Sequence, residues 1–145
     1  MANVATGGYL IHQDWSGHKV DNMLFQAWTS GPVDLGNRWF FEAPQEKEGY
    51  VWFRMRNGRS KKCGVPGGVV HGSYQGVVTK SCSSGDEFLW RAEPQNDAGS
   101  NRWRTVKFVS YSTTNAMKPY GNNPDEYIIL EDDGYANKYS WSVGG

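Results

Sequence analysis

The side chains of this chain best suited to proton transfer near neutral pH are three histidines, His12, His18 and His71. Acid–base or nucleophilic catalysis would need a carboxylate and a nucleophile spaced beside one of them, and none is so placed. The three read instead as solvated or turn-stabilising residues. A Gly-x-Ser-x-Gly elbow, a His-Glu-x-x-His pair and a glycine-rich phosphate loop are absent as well. The chain is therefore not expected to be an enzyme.

The acidic group Asp125, Glu126, Glu131, Asp132 and Asp133 has oxygens enough for calcium but lacks the twelve-residue spacing of an EF-hand loop. Two strand ends in one hairpin explain it, and no metal or other cofactor is expected. The basic group Arg54, Arg56, Arg59, Lys61 and Lys62 alternates along a strand before a turn, so Arg54 and Arg56 should share one face. A solvated strand face is the first reading of that pair, and an anionic partner is the second.

Carbohydrate recognition is better supplied. Sugars present flat C–H faces to an aromatic ring and hydroxyls to amides, carboxylates or imidazole, so a site needs one aromatic beside two or three fixed polar groups. LIHQDWSGHKVDNMLFQAWTSGPVDLGNRW, residues 10–39, offers that combination of aromatic and polar side chains. A second candidate set, Tyr120, Asn122, Asn123 and Asp125, precedes EYIILEDD. Against the first set, Trp28 could equally be a core residue.

Something must hold these groups in place. At 145 residues the chain suits one domain with its own core. Fifteen Lys and Arg balance fifteen Asp and Glu, which gives no net charge to draw the chain to nucleic acid or an anionic membrane. Eighteen glycines, seven Trp, eight Tyr and six Phe, without long helical periodicity, favour short strands joined by turns. The opening MANVATGGYL has neither a basic leader nor an apolar stretch, and no run is long enough to span a bilayer. Such a chain is either cytosolic or has lost its leader.

Trp39, Trp90 and Trp141 are spaced by 51 residues, within GNRWFFEAP, DEFLWRAEP and NKYSWSV. Trp52 and Trp103 repeat the same interval, each after a glycine-bearing loop. The period divides the chain into units at about 1–47, 48–98 and 99–145. In the middle unit four strands are expected, YVWFRMRN, KKCGV, GVVTKSC and EFLWRAE, separated by GRS, PGGVVHGSYQ and SSGD. Three open units of four strands would leave unpaired edges. A closed threefold arrangement removes them, so the expected fold is an all-β trefoil, a six-stranded barrel capped by three hairpins.

With these residues in view, KKCGVPGGVVHGSYQGVVTKSCSSGDEFLW resembles a ricin-B-type repeat. There one Cys follows the first strand, a second follows the third, and Gln-x-Trp closes the unit. The Gln position holds Asn37, Phe88 and Tyr139 in the three units, and only the tryptophans persist. DLGNRWFF, TKSC, FLWRAEP and VKFVS are further similar to the cell-binding subunits of cytolethal distending toxins. The resemblance implies a stacking aromatic near Trp28, a polar group near His12 or Gln13 and a closing amide near Asn37, with Asp14, Trp15 and Asn22 in the intervening loop. It also implies that the middle unit has lost its sugar site, since Val65 and Phe88 replace polar residues. In the third unit Met117 stands where Cys would fall, which blurs the register of the Tyr120 set.

Cys63 and Cys82 could be a disulfide, a pair of buried thiols or metal ligands. Their separation of 19 residues, with only His71 between, suits zinc poorly, and a hairpin-spanning disulfide suits it better. Such a bond implies an oxidising compartment and hence a secreted protein.

The expected function is a lectin-like module binding glycans or glycoproteins, with oligomerisation multiplying a weak single site. The alternative is a protein-binding subunit of a multi-component toxin that docks a catalytic partner through Trp15, Trp52 or Trp103. A protease inhibitor fits the fold, but no residue pattern argues for it. If the first unit carries the site, Trp28→Ala abolishes selective binding on a glycan array.

Overall fold

A computed structural model of the chain describes residues 2–3, 9–12, 24–27, 38–70, 72–94, 105–121, 127–132, 139 and 141–142. Among them are twelve strands and one 3-10 turn. The first four strands are β1 (Ala2–Asn3), β2 (Tyr9–His12), β3 (Leu24–Ala27) and β4 (Trp39–Lys47). Next come β5 (Tyr50–Asn57), β6 (Cys63–Val70), β7 (Tyr74–Lys80), the 3-10 turn Asp86–Phe88 and β8 (Trp90–Pro94). The last are β9 (Thr105–Ser110), β10 (Ala116–Pro119), β11 (Ile128–Glu131) and β12 (Trp141–Ser142).

The strands pair antiparallel, and the pairings close on themselves. From β5 the ladder runs through β6, β7, β11, β10, β9 and β8 and returns to β5. The chain is thus an all-β closed barrel, with a hydrogen-bonded ring of seven strands where the sequence suggested six. The ring draws on both strands of the β6–β7 and β10–β11 hairpins, and it closes through the Ala116–Val109 pair that joins β10 to β9.

The 51-residue interval has a physical content. Trp39, Trp90 and Trp141 open β4, β8 and β12, and each indole N–H donates to a backbone carbonyl of a strand two earlier in the chain. The acceptors are Leu10 of β2 at 3.0 Å, Gly64 of β6 at 2.9 Å and Met117 of β10 at 3.2 Å. Trp90 and Trp141 are buried, with Met55, Phe108, Met117 and Ile128 in the same core, and Trp39 packs against it half-exposed. Each ring brings a large apolar area, and its single donor finds a partner, as a buried indole must.

Two turns carry the β4–β5 hairpin and the middle unit. Glu48 and Gly49 adopt φ of 53° and 85°, and Lys47 pairs with Tyr50, which is the two-residue primed turn that matches strand twist. The stretch PGGVVHGSYQ, expected as a loop, instead continues β6 to Val70, and β7 resumes at Tyr74. A bulge between Pro66 and Val69 makes this feasible. A side chain on Gly67 would come within 2.5 Å of a Val78 methyl, so the bulge needs glycine there. The strand expected from Glu87 begins only at Trp90, because Phe88 turns into the core in the 3-10 turn.

Cys63 and Cys82 form a disulfide with Cα atoms 5.0 Å apart, closing the alternatives left by the sequence. It packs with Val65 and Phe88 in a small apolar cluster, so two positions where a sugar-binding repeat would be polar are core here. Tyr139, the third-unit counterpart of Phe88, is also buried.

Two stability outcomes follow. Replacing both cysteines by alanine lowers unfolding free energy by about 3 kcal/mol in urea denaturation, as expected for a loop of this size. Trp90→Phe, which strands the buried Gly64 carbonyl, costs about 1–3 kcal/mol, and Trp39→Phe at its half-exposed site costs less.

Candidate functional site

Of the first predicted sugar set, His12 closes β2 opposite Leu24. Gln13, Asp14, Trp15, Asn22, Trp28 and Asn37 lie outside the described residues. Of the second set, Tyr120 is exposed and meets Tyr74 edge to face at 5.6 Å, while Asn122, Asn123 and Asp125 lie outside. Trp52, offered as an exposed docking residue, is only 6% exposed. Its indole N–H donates to the Lys47 carbonyl at 2.8 Å, which folds the ring back onto its own hairpin. Trp15 and Trp103 are not among the described residues.

The described residues assemble a different recess. A cleft of about 450 Å³ is lined by Tyr50, Trp52 and Tyr111 together with Glu48, Asp86 and Arg91, and by Ser110, Ser112 and Thr114 at one side. Tyr50 and Trp52 share one face of β5 because side chains alternate along a strand. Their rings meet edge to face at 6.1 Å, and Trp52 meets Tyr111 in the same way at 4.9 Å. The Arg91 guanidinium lies 4.4 Å from the Tyr50 ring centre and is itself paired with Glu93 at 2.9 Å. Tyr50 remains 53% exposed.

Hydrogen bonds from three elements fix the walls. Tyr111 follows β9, and its amide donates to the Leu89 carbonyl at 3.0 Å. The turn after it closes through Thr114 N–H to the Ser110 carbonyl, helped by the Ser110 hydroxyl accepting from the Thr113 amide. Lys47 reaches from the β4 end to Asp86 at 2.8 Å and lies 4.5 Å from the Tyr111 ring centre. The Tyr111 hydroxyl donates to Glu48 at 2.9 Å. That bond raises the Tyr111 phenol above its ordinary value, and the bond to Asp86 raises the Lys47 ammonium. The cleft thus joins an exposed aromatic ring to carboxylates, a guanidinium and hydroxyls already held in position.

Tyr50 was not among the predicted site residues, although its two-residue spacing from Trp52 in an expected strand is a signal that places both rings on one face. Tyr111 carried no such signal, since only the fold brings it across from β9. The basic group resolves unevenly. Arg56 pairs with Glu42 at 2.9 Å and lies over Phe40, while Arg54 has no such partner among the described residues. In the acidic group Glu131 pairs with Lys118, and Asp125, Glu126 and Asp133 lie outside. Among the described residues no cluster of His, Cys, Asp and Glu could hold a metal. No helix among them is long and apolar enough to cross a membrane, which leaves strand-built spans unaddressed.

Comparison with solved structures identifies the fold. The chain is similar to a designed 3-fold symmetric protein, ThreeFoil, at 17% identity and a TM-score of 0.73, covering 97% of this chain and 93% of that one. It is similar to a chain of the cytolethal distending toxin from Actinobacillus actinomycetemcomitans at 16% identity and a TM-score of 0.65, covering 94% and 88%. A third likeness is to the BEL beta-trefoil, at 8% identity and a TM-score of 0.67, covering 97% and 87%. The architecture is therefore that of the β-trefoil proteins. No family model matches the chain. No curated protein matches it either.

The Tyr111–Glu48 bond sets a pH dependence. A phenol raised above 10.0 keeps its proton as ordinary tyrosines begin to ionise, so the donor persists below that range and is lost as pH rises through the raised value. In difference absorbance across an alkaline titration Tyr111 ionises late, as does Tyr139, which burial raises, and Glu48→Gln moves the Tyr111 component earlier.

Proposed function

We propose that this chain is a carbohydrate-binding β-trefoil module, acting by recognition without covalent chemistry. The observation that carries the reading is the Tyr50–Trp52–Tyr111 cleft: an exposed ring beside fixed carboxylates, a guanidinium and hydroxyls is what a pyranose face and its hydroxyls require. We take the twelve strands as three units, at about 1–47, 48–98 and 99–145, on a trefoil plan of six barrel strands and three hairpins. The indole bonds at Leu10, Gly64 and Met117 support that division. The disulfide supports a secreted, extracellular protein. A single open cleft gives weak binding, so glycoprotein recognition would gain from several copies acting together in a homo-oligomer.

A second reading rests on another surface. Phe40, Phe41 and Val51 are exposed along the β4–β5 hairpin, apolar side chains that a protein partner could cover. The likeness to cytolethal distending toxin chains supports a partner of that kind, a catalytic toxin subunit. Fold alone does not choose between the two, and the cleft favours sugar.

A glycan array run on the wild type, Tyr50→Ala and Trp28→Ala decides the matter. Selective binding weakened about tenfold by Tyr50→Ala and kept by Trp28→Ala is expected. Binding lost only with Trp28→Ala moves the site to the first unit, and a blank array overturns the lectin reading in favour of a protein partner.

A further inference from the structure

Arg54 sits in β5 directly opposite Glu42 of β4, the position from which a cross-strand carboxylate would ordinarily reach it. Glu42 instead pairs with Arg56, at 2.9 Å from its Nε. Arg54 is left with one long hydrogen bond, from a terminal guanidinium nitrogen to the Ser83 carbonyl at 3.3 Å. Its Nε is buried and has no acceptor. A guanidinium N–H withdrawn from water without a partner is costly, and few such groups persist in folded proteins without a reason.

The surroundings of this group form a recess. Ala43, Pro44 and Gln45, with Ser83, Ser84 and Leu89, line a pocket of about 230 Å³ that Arg54 also lines. One wall is the bulge where the β4–β5 register slips between Glu42 and Gln45, with Ala43 held at a φ of 51°, a conformation uncommon for alanine. The other wall is the segment after Cys82, anchored at one end by the disulfide and at the other by buried Phe88 and Leu89. Bulges re-aim side chains beside functional sites, and strained residues gather there.

We propose that this pocket binds the carboxylate of an acidic sugar. A planar carboxylate can accept from the two terminal nitrogens of one guanidinium together, a fit that an ammonium cannot reproduce. The serine hydroxyls and the Gln45 amide are neutral groups suited to the hydroxyls of the attached ring. This pocket and the aromatic cleft flank the same segment, since Ser83, Ser84 and Leu89 line one and Asp86 lines the other. The identification of the ligand as a sugar rests on the carbohydrate-binding reading above, whereas the carboxylate requirement rests on Arg54 alone.

The Nε–H of arginine is visible in a nitrogen–proton correlation spectrum, so the site can be watched directly. The folded protein is titrated with the methyl glycoside of glucuronic acid and, separately, with the neutral methyl glucoside. A saturable shift of the Arg54 Nε–H signal with the uronate, absent with the neutral sugar, is expected. Arg54→Lys keeps the charge but not the planar fork and should weaken binding at least tenfold, so the test stands even if Arg54→Gln fails to fold. Tyr50→Ala should leave the Arg54 shift intact, which separates failure of this site from failure of the aromatic cleft. An unmoved Nε–H signal, or equal affinity in Arg54→Lys, overturns the proposal. An equal shift from acetate or acetylglutamate at the same concentration overturns it too, by reducing the pocket to a general anion site.

Discussion

A tryptophan ring buried at the start of a strand, with its N–H on a carbonyl of a strand two earlier in the chain, is the constraint on which the rest of this molecule depends. The ring is too large to lie in the core in more than one way, and its donor must be met there. Meeting it at Leu10, Gly64 and Met117 fixes where β4, β8 and β12 stand relative to β2, β6 and β10. Once those pairs are fixed, the antiparallel ladders between them have little freedom left in register. The frame then tolerates wide divergence elsewhere, as the low identities to other trefoils show.

That tolerance explains why the three stretches differ so much in detail. Around Gly64 the second strand is tied by a disulfide, and Phe88 fills the space beside it. Around Met117 no cysteine is present, and a buried methionine packs into the main core instead. Phe88 and Tyr139, each two residues before one of the spaced tryptophans, are both buried packing residues. The polar side chains of the cleft consequently come from turns and strand ends, where burial imposes less. The cleft gathers its side chains from the β4–β5 turn, the 3-10 turn, β8 and the end of β9.

The legibility of the molecule in its sequence follows the same division. The tryptophan interval, the strand-rich composition and the cysteine pair could be read directly, because each reflects a constraint repeated or confined within a short segment. The extent of β6 could not, since Pro66, Gly67 and Gly68 look like a loop and only the close approach of Val78 shows them as a bulge inside a hairpin. The closure of the ring depended on one bridge between β9 and β10, which leaves no mark in residue types. The spacing of Tyr50 and Trp52 carried a signal, unused in predicting the site, that both rings lie on one face. Their meeting with Tyr111, and the diversion of Glu42 from Arg54 to Arg56, are products of packing between distant segments. Much of the first predicted sugar set lies outside the described residues, so the sequence remains the sole source for it.

The segment between Cys82 and Trp90 is a party wall. Asp86 faces the aromatic cleft on one side, and Ser83, Ser84 and Leu89 face the Arg54 pocket on the other. Its ends are tied, by the disulfide and by the Trp90 indole. Any occupant of one recess that shifts this wall changes the shape offered to an occupant of the other. Thermodynamic linkage makes such an influence reciprocal: the factor by which the first helps or hinders the second equals that by which the second acts on the first. Two recesses that share one wall, tied at one end by a covalent bond, would in this way answer to each other's occupants.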